Sequence, residues 1–331
     1  MRLLPYFRYP SEIMSVRELS EAAQAAIDRA EADAAEAKSA ATARAYRADL
    51  ADFRAFCAET GLGALPATPE TVAAYLSARA TSHSHATLRR RLAAIGAAQA
   101  ASGFPWVPGH PVIRDTLRGI ARRLPARSRP AGALTTDLIR RLVATCDTGM
   151  TGTRDRALLL IGYAGALRRG ELVAIERSQI TFENFGLRLL IPTSKTDQEG
   201  QGAEIGIPRG LKRETCPVRA IEEWLRLSEC DMGPVFRRID RWGGLDMQAL
   251  HPDAVRRILL RRAAIAHITM SGSERLSPHG LRAGFITEAY QAGARDEDIM
   301  QHSRHRSLTA MRRYVRRAKA IQDSPAKLLG L

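Results

Sequence analysis

Four separated segments hold the side chains able to do chemistry. In Ala166-Leu167-Arg168-Arg169-Gly170-Glu171-Leu172 an arginine follows an apolar stretch and meets a glutamate three residues on. Lys195 stands in the turn-rich run SKTDQEGQG. Ser277-Pro278-His279-Gly280-Leu281-Arg282 sets a histidine and an arginine three apart on one helical face, behind a serine able to cap that helix. The last segment runs from His305 to Tyr314 through Arg306, Arg312 and Arg313. These residue types suit chemistry on an anion. A helix start attracts phosphate through its free N–H groups and dipole, and arginine forks grip oxyanions without giving up their proton. A tyrosine hydroxyl, with an ordinary pKa of about 10, becomes a nucleophile when cations and a base assist its ionisation. Taken singly, each segment also has a plain reading: an Arg168–Glu171 ion pair, a solvated hairpin lysine, a basic helix with a core tyrosine. His302, three residues before His305, has no further ligands at metal-binding spacing, so a surface or packing role is expected for it and no metal site.

The elements that must position these residues follow from apolar spacing. Residues 1–40 read as an arm, rich in Ala and Glu from 16 onward. Residues 41–124 read as a helical bundle. Tyr46, Leu50, Phe53 and Cys57 mark a helix that Gly61 and Gly63 stop, and helices follow over Pro69–Ala80, Ala86–Ser102 and Val112–Leu124. LPARSRPAG (Leu124–Gly132) is linker composition, so residues 125–132 join the bundle to a second domain at 133–331. There Thr135 or Thr136 caps a helix running through Cys146, and Thr153–Leu167 reads as a buried helix. Leu187–Pro192 and Glu204–Pro208 read as paired strands with Lys195 on the hairpin between them. From Pro217 onward the expectation is mainly helix. The fold class expected is mainly α with a small β-sheet.

Fifty Lys and Arg against 35 Asp and Glu leave a formal charge of +15, which points to a polyanionic partner. No apolar run approaches the roughly 18 residues that cross a bilayer, and Met1–Pro10 is too short and proline-broken for a secretory signal, so double-stranded DNA leads as partner and no membrane role is expected. Cys57, Cys146, Cys216 and Cys230 lack paired spacing, which suggests neither zinc nor disulfides and fits a reducing cytoplasm. Lysine occurs only at Lys38, Lys195, Lys212, Lys319 and Lys327, so the search for a catalytic lysine is narrow.

In order and local context the four segments resemble the tyrosine recombinase (phage integrase) family, and the amino-terminal helices resemble the core-binding domain of its Cre-like branch. The resemblance covers almost the whole chain. It implies a helical core-binding domain (SAM-like) and an α+β catalytic domain that form a clamp around DNA. It also implies a catalytic set of Arg168, Lys195, His279, Arg282, His305 and Tyr314, supported by Glu171. Two departures stand beside His305, where the family commonly has a glycine preceded by a hydrophobic residue: here these are Arg304 and Ser303. The activity implied is site-specific recombination through a 3′-phosphotyrosine at Tyr314, with Lys195 protonating the 5′ oxygen and no ATP, metal or other cofactor. Thr42, Arg44, Thr87, Arg89 and Arg90, within a stretch that includes Arg91, are candidate DNA contacts, as are Arg256, Arg257, Arg261 and Arg262 on a helix resembling the family's major-groove helix. The segment Ala318–Leu331 is expected to pass between protomers of a homotetramer on two DNA sites, in the nucleoid. Two rival readings are a type IB topoisomerase, which relaxes supercoils without pairing sites, and a DNA-binding regulator, which has no need of Tyr314.

Overall fold

The computed structural model describes residues 24–26, 28, 29, 39–124, 129–192, 202–319 and 329. Two compact units divide the chain, Met1–Ser128 and Arg129–Leu331.

In the first unit, helices α1 (Ala40–Thr60), α2 (Pro69–Arg79) and α3 (His85–Ala101) each begin behind a hydroxyl residue. Ser39, Thr68 and Ser84 accept from the backbone N–H groups of Thr42, Thr71 and Thr87 and so satisfy donors the helix cannot. Helix α4 (Pro111–Arg123) starts instead on a proline, whose missing N–H costs nothing there. Phe53, Tyr75, Leu76, Leu88 and Ile95 are fully buried between these helices, with Phe53 and Tyr75 edge to face at 5.0 Å. Arg91 turns inward as well. Its guanidinium reaches Asp52 and the Tyr75 hydroxyl and lies 3.0 Å from His83 Nε2. Within the stretch 86–91 Arg91 thus faces the bundle and not the surface, because an arginine with carboxylates waiting on α1 is held where their charge is.

The second unit opens with α5 (Thr136–Ala144), capped by Thr135, and the apolar α6 (Met150–Ala164). Helix α6 ends earlier than the expected Leu167. Ala166 takes φ +46°, a left-handed turn that throws Leu167 and Arg168 off the helix axis. A short helix α7 (Arg169–Val173) follows, then an antiparallel sheet of β1 (Ile180–Glu183), β2 (Gly186–Ile191) and β3 (Ala203–Pro208). The β2–β3 register pairs Leu189 with Ile205 and Ile191 with Ala203. Strand β1 lies beside the expected pair and was not foreseen.

Helix α8 (Pro217–Leu227) buries Trp224 completely, its indole N–H donating to Val235 O at 2.8 Å. A second hairpin, β4 (Arg237–Ile239) and β5 (Leu245–Ala249), then interrupts a region that is otherwise mainly helical, as expected. Its turn is set by Asp240, whose Oδ1 accepts from Trp242 N and Gly244 N, and by Gly243 at φ +86°. Helices α9 (Pro252–Ile265), α10 (His279–Gln291), α11 (Asp296–Ser303) and α12 (Leu308–Lys319) complete the unit. A cluster of Ile286, Ile299, Met311 and Val315 joins the last three, so the segments carrying Arg282, His305 and Tyr314 share one small core.

Candidate active site

Helix α10 sits against residues 132–134 more closely than side chains usually permit. A Cβ at Gly280 would lie 2.5 Å from Gly132 O, and one at Gly284 would lie 1.9 Å from Leu134 O. Glycine at both positions lets the backbones meet, and Leu134 N donates to Gly280 O at 2.9 Å. Ser277 does not cap this helix, contrary to expectation. Pro278 occupies the cap position in a helical conformation, and the Ser277 hydroxyl is buried with no hydrogen-bond partner among the described residues.

His279 and Arg282 of α10, His305 of the turn before α12 and Tyr314 of α12 meet beside one another. His279 Nε2 lies 2.6 Å from the Tyr314 hydroxyl. Arg282, only 1% exposed, donates from one terminal nitrogen to Ala166 O (2.7 Å) and from the other to His305 Nδ1 (3.1 Å). A guanidinium can only donate, so this contact puts the lone pair on Nδ1 and the ring proton on Nε2. The His305 and Tyr314 rings stand 5.8 Å apart, edge to face. Ser303, fully buried, lies 2.7 Å from His305 Nδ1 and 2.6 Å from Ile299 O, and with the lone pair on Nδ1 its one hydroxyl hydrogen is shared between these two acceptors.

Arg168 approaches from the α6–α7 connection. Its backbone N–H and guanidinium donate to the two oxygens of Glu171 at 2.8 and 2.5 Å, so the ordinary ion-pair reading and the site reading hold together. Glu171 also accepts from Arg304 at 2.9 Å. Burial alone would raise its pKa, but the Arg168 N–H and the two guanidiniums outweigh that and hold it below the usual carboxylate range. The Arg168 side chain is 28% exposed, against 7% for Arg304, which makes it the more open of the two guanidiniums on Glu171.

This crowd of cations acts on its neighbours. Burial, then the charges of Arg168 and Arg304, push Arg282 down to about 9, still protonated at neutral pH. Burial, followed by Arg282, Arg168, His279 and Arg304, pushes His305 down to about 4. Loss of water on its inner side and the charges of Arg282, Arg168 and Arg275 also hold His279 below the ordinary imidazole range. Both imidazoles are therefore neutral at pH 7. His279 can accept a proton from Tyr314, and His305 can donate from Nε2.

Of the residues expected from the sequence, Arg168, Glu171, His279, Arg282, His305 and Tyr314 converge here; Lys195 lies outside the described residues, as does the carboxy-terminal segment beyond Lys319 except Leu329. Two participants were missed in their roles. Ser303 and Arg304 were legible only as departures from the family pattern, and the signal that marks Arg304 is its backbone, at φ +56° and ψ +45°. That left-handed conformation costs a residue with a Cβ about 1–2 kcal/mol. His302 packs, as expected: its ring stacks on Phe285 at 4.6 Å and Nε2 lies 2.7 Å from Ala164 O. Among the described residues no group of three His, Cys, Asp or Glu side chains could hold a metal, and no helix is long and apolar enough to cross a membrane.

The candidate DNA contacts divide by partner. Arg44, Arg89, Arg256 and Arg257 are exposed. Arg90 makes a two-pronged bond to Asp49, and the Thr42 and Thr87 hydroxyls lie against the capping serines Ser39 and Ser84. Arg262 is corrected from a surface residue to a buried one, bound to Asp155 and Thr145 O, while Arg261 reaches the same carboxylate from a half-exposed position. Arg257 and Arg261 line a groove of about 780 Å³ with Arg154, Arg238 and Gly170 of α7.

Family models match stretches of both units. The profile of the phage integrase family matches residues 133–320, and that of the phage integrase N-terminal SAM-like domain matches residues 33–100. An integrase/recombinase xerD homolog from Selenomonas ruminantium is 32% identical over 274 residues, 81% of this chain and 79% of that protein. Among solved structures, the lambda integrase (residues 75–356) bound to DNA aligns with a TM-score of 0.58 at 14% identity, covering 91% of this chain and 98% of that one. The post-cleavage complex of the XerH site-specific recombinase with its difH substrate aligns with a TM-score of 0.53 at 17% identity, covering 77% and 72%. At these identities the structures speak for the fold.

Proposed function

Since the chain belongs to the phage integrase family of tyrosine recombinases, we propose that it is a site-specific DNA recombinase that cuts and rejoins strands through Tyr314. The observation that carries this reading is the Tyr314 hydroxyl at 2.6 Å from a neutral His279, beside the Arg282–His305 pair. In the proposed step the Tyr314 oxygen attacks a backbone phosphorus as its proton passes to His279 Nε2. Arg168, Arg282 and the His305 Nε2–H stabilise the charge on the non-bridging oxygens. The bond to the 5′ oxygen breaks, Lys195 protonates that oxygen, and a 3′-phosphotyrosine ester remains. The ester retains the bond energy of the original diester, so a 5′ hydroxyl from a second strand reverses the step without a nucleotide cofactor. Each terminal nitrogen of Arg282 carries a second hydrogen beside the one directed at Ala166 O or His305, so the guanidinium has donors left for the phosphate while both supports are kept.

DNA contact is assigned to exposed basic residues of both units, Arg44, Arg89, Arg256 and Arg257 above all, as phosphate contacts that position the duplex. Assembly as a homotetramer on two sites, with the segment after Ala318 exchanged between protomers, and association with the nucleoid belong to the same proposal. A plasmid with two copies of the target site is expected to yield deletion or inversion products, and a plasmid with none is expected to keep its supercoils. Relaxation without any exchange of sites would favour a topoisomerase.

The electrostatics of the pocket set the expected pH dependence. His279, facing Tyr314 and lowered by burial, Arg282, Arg168 and Arg275, is an unprotonated base above its depressed pKa and loses that role as pH falls through it. The single-turnover cleavage rate is therefore expected to be level from about pH 7 to 8.5 and to decline only below the ordinary imidazole pKa of about 6.5. A rate that keeps climbing about tenfold per unit up to pH 8.5 would show unassisted tyrosine ionisation instead.

A further inference from the structure

Arg304 stands where the family commonly has glycine, and it keeps the backbone conformation that glycine serves. Its φ of +56° has a counterpart 138 residues earlier in Ala166 at φ +46°. Two left-handed residues with Cβ atoms thus face each other across the pocket, and the Arg304 guanidinium joins them. One terminal nitrogen donates to His302 O (2.9 Å) and Gly165 O (3.4 Å), and the other to Glu171 Oε2 (2.9 Å) and Ala166 O (3.4 Å). With its side chain 7% exposed and both terminal nitrogens engaged, Arg304 is a poor candidate to meet the phosphate itself. What it touches are the supports of the residues that would: Glu171 holds Arg168, Ala166 O holds Arg282, and His302 and Arg304 lead directly into His305.

We infer that Arg304 is a positioning residue for strand cleavage, a brace whose guanidinium locks the α6–α7 connection carrying Arg168 to the turn carrying His305. The brace explains why a strained arginine is tolerated at this place. A bare left-handed turn is best made by glycine, whereas the fork crosslinks two strained turns and shares Glu171 with Arg168. Removing it leaves the backbone free to keep its shape but lets the Arg168 loop and the His305 turn move independently. In a site where small misplacements are costly, that is a loss in the chemical step, not in DNA binding.

The inference rests on the strand-cleavage reading, and the experiment separates the two. Arg304→Gly is the informative variant, because glycine relieves the backbone and removes only the side chain. Covalent adduct formation in a single turnover is measured on a nicked suicide duplex carrying the site recovered from DNA trapped on the parent protein. Half-site affinity and the melting temperature are measured beside it. Arg304→Gly is expected to slow adduct formation about 30-fold, the scale of a lost charged hydrogen-bond set, with affinity within about threefold of the parent. Arg304→Lys keeps a cation but cannot hold a carboxylate and three carbonyls together. It is expected at an intermediate rate, and it decides the matter if Arg304→Gly fails to fold. Because the brace acts through Glu171, Glu171→Gln combined with Arg304→Gly should be little slower than the slower single variant. A parental cleavage rate in either arginine variant overturns the inference and leaves the cleavage reading standing. No adduct from the parent protein on any duplex overturns both.

Discussion

Tyr314→Phe is expected to abolish covalent attachment to DNA while leaving affinity for a half-site within about threefold of the parent, the change allowed by losing one ordinary hydrogen bond. The phenylalanine ring keeps its place on α12 between Met311 and Val315, so the small core that joins α10, α11 and α12 is preserved. What disappears is the oxygen 2.6 Å from His279 Nε2. Denaturing electrophoresis reads the adduct and a mobility shift reads the affinity. A persistent adduct at the parental level would move the nucleophile to another residue.

Arg282→Lys is expected to reduce cleavage about 10³-fold, the upper range seen when a preorganised oxyanion donor is removed. Lysine removes the fork but keeps a cationic group, so the loss combines misplaced geometry with whatever charge burial takes from the ammonium. The guanidinium spans Ala166 O and His305 Nδ1 from two separate nitrogens, and an ammonium on a flexible stem cannot fix the Ala166 turn and the His305 tautomer together. Arg282 is also 1% exposed, between the cations Arg168 and Arg304. An ammonium there is driven toward its neutral form, which forfeits the charge as well. Single-turnover cleavage at saturating DNA tests this, and a loss smaller than tenfold would mean that a cation alone suffices at this position.

How far the site could be read from the sequence follows from how local each determinant is. His279 and Arg282 lie one helical turn apart, and Arg168 and Glu171 are three residues apart, so both pairs were visible as motifs. Strands β2 and β3 were visible because their apolar residues are bounded by turn-forming ones. The inward course of Arg91 and Arg262 was not, because nothing in a run of arginines says which one has a carboxylate waiting. For Arg262 the partner is Asp155, 107 residues away, and for Arg91 it is Asp52, 39 residues away. The β4–β5 hairpin escaped although Leu245, Met247 and Ala249 alternate along β5, because β4 is only three residues long and two of them are arginines. Ser277 looked like a helix cap from its type alone, but Pro278 took the cap position and displaced it. Ser303 and Arg304 registered as missing a hydrophobic residue and a glycine; that they orient His305 and bind Glu171 depends on a turn whose left-handed geometry no residue type announces.

The central claim is that the Tyr314 oxygen becomes esterified to a DNA phosphate. It is tested most directly by trapping the protein on a nicked suicide duplex, digesting both components, and mapping the nucleotide-bearing peptide by mass spectrometry. The expected result is a single modified peptide containing Tyr314, joined to a 3′-phosphate, and absent from Tyr314→Phe. Attachment at another residue, or a 5′-phosphate at Tyr314, would contradict it.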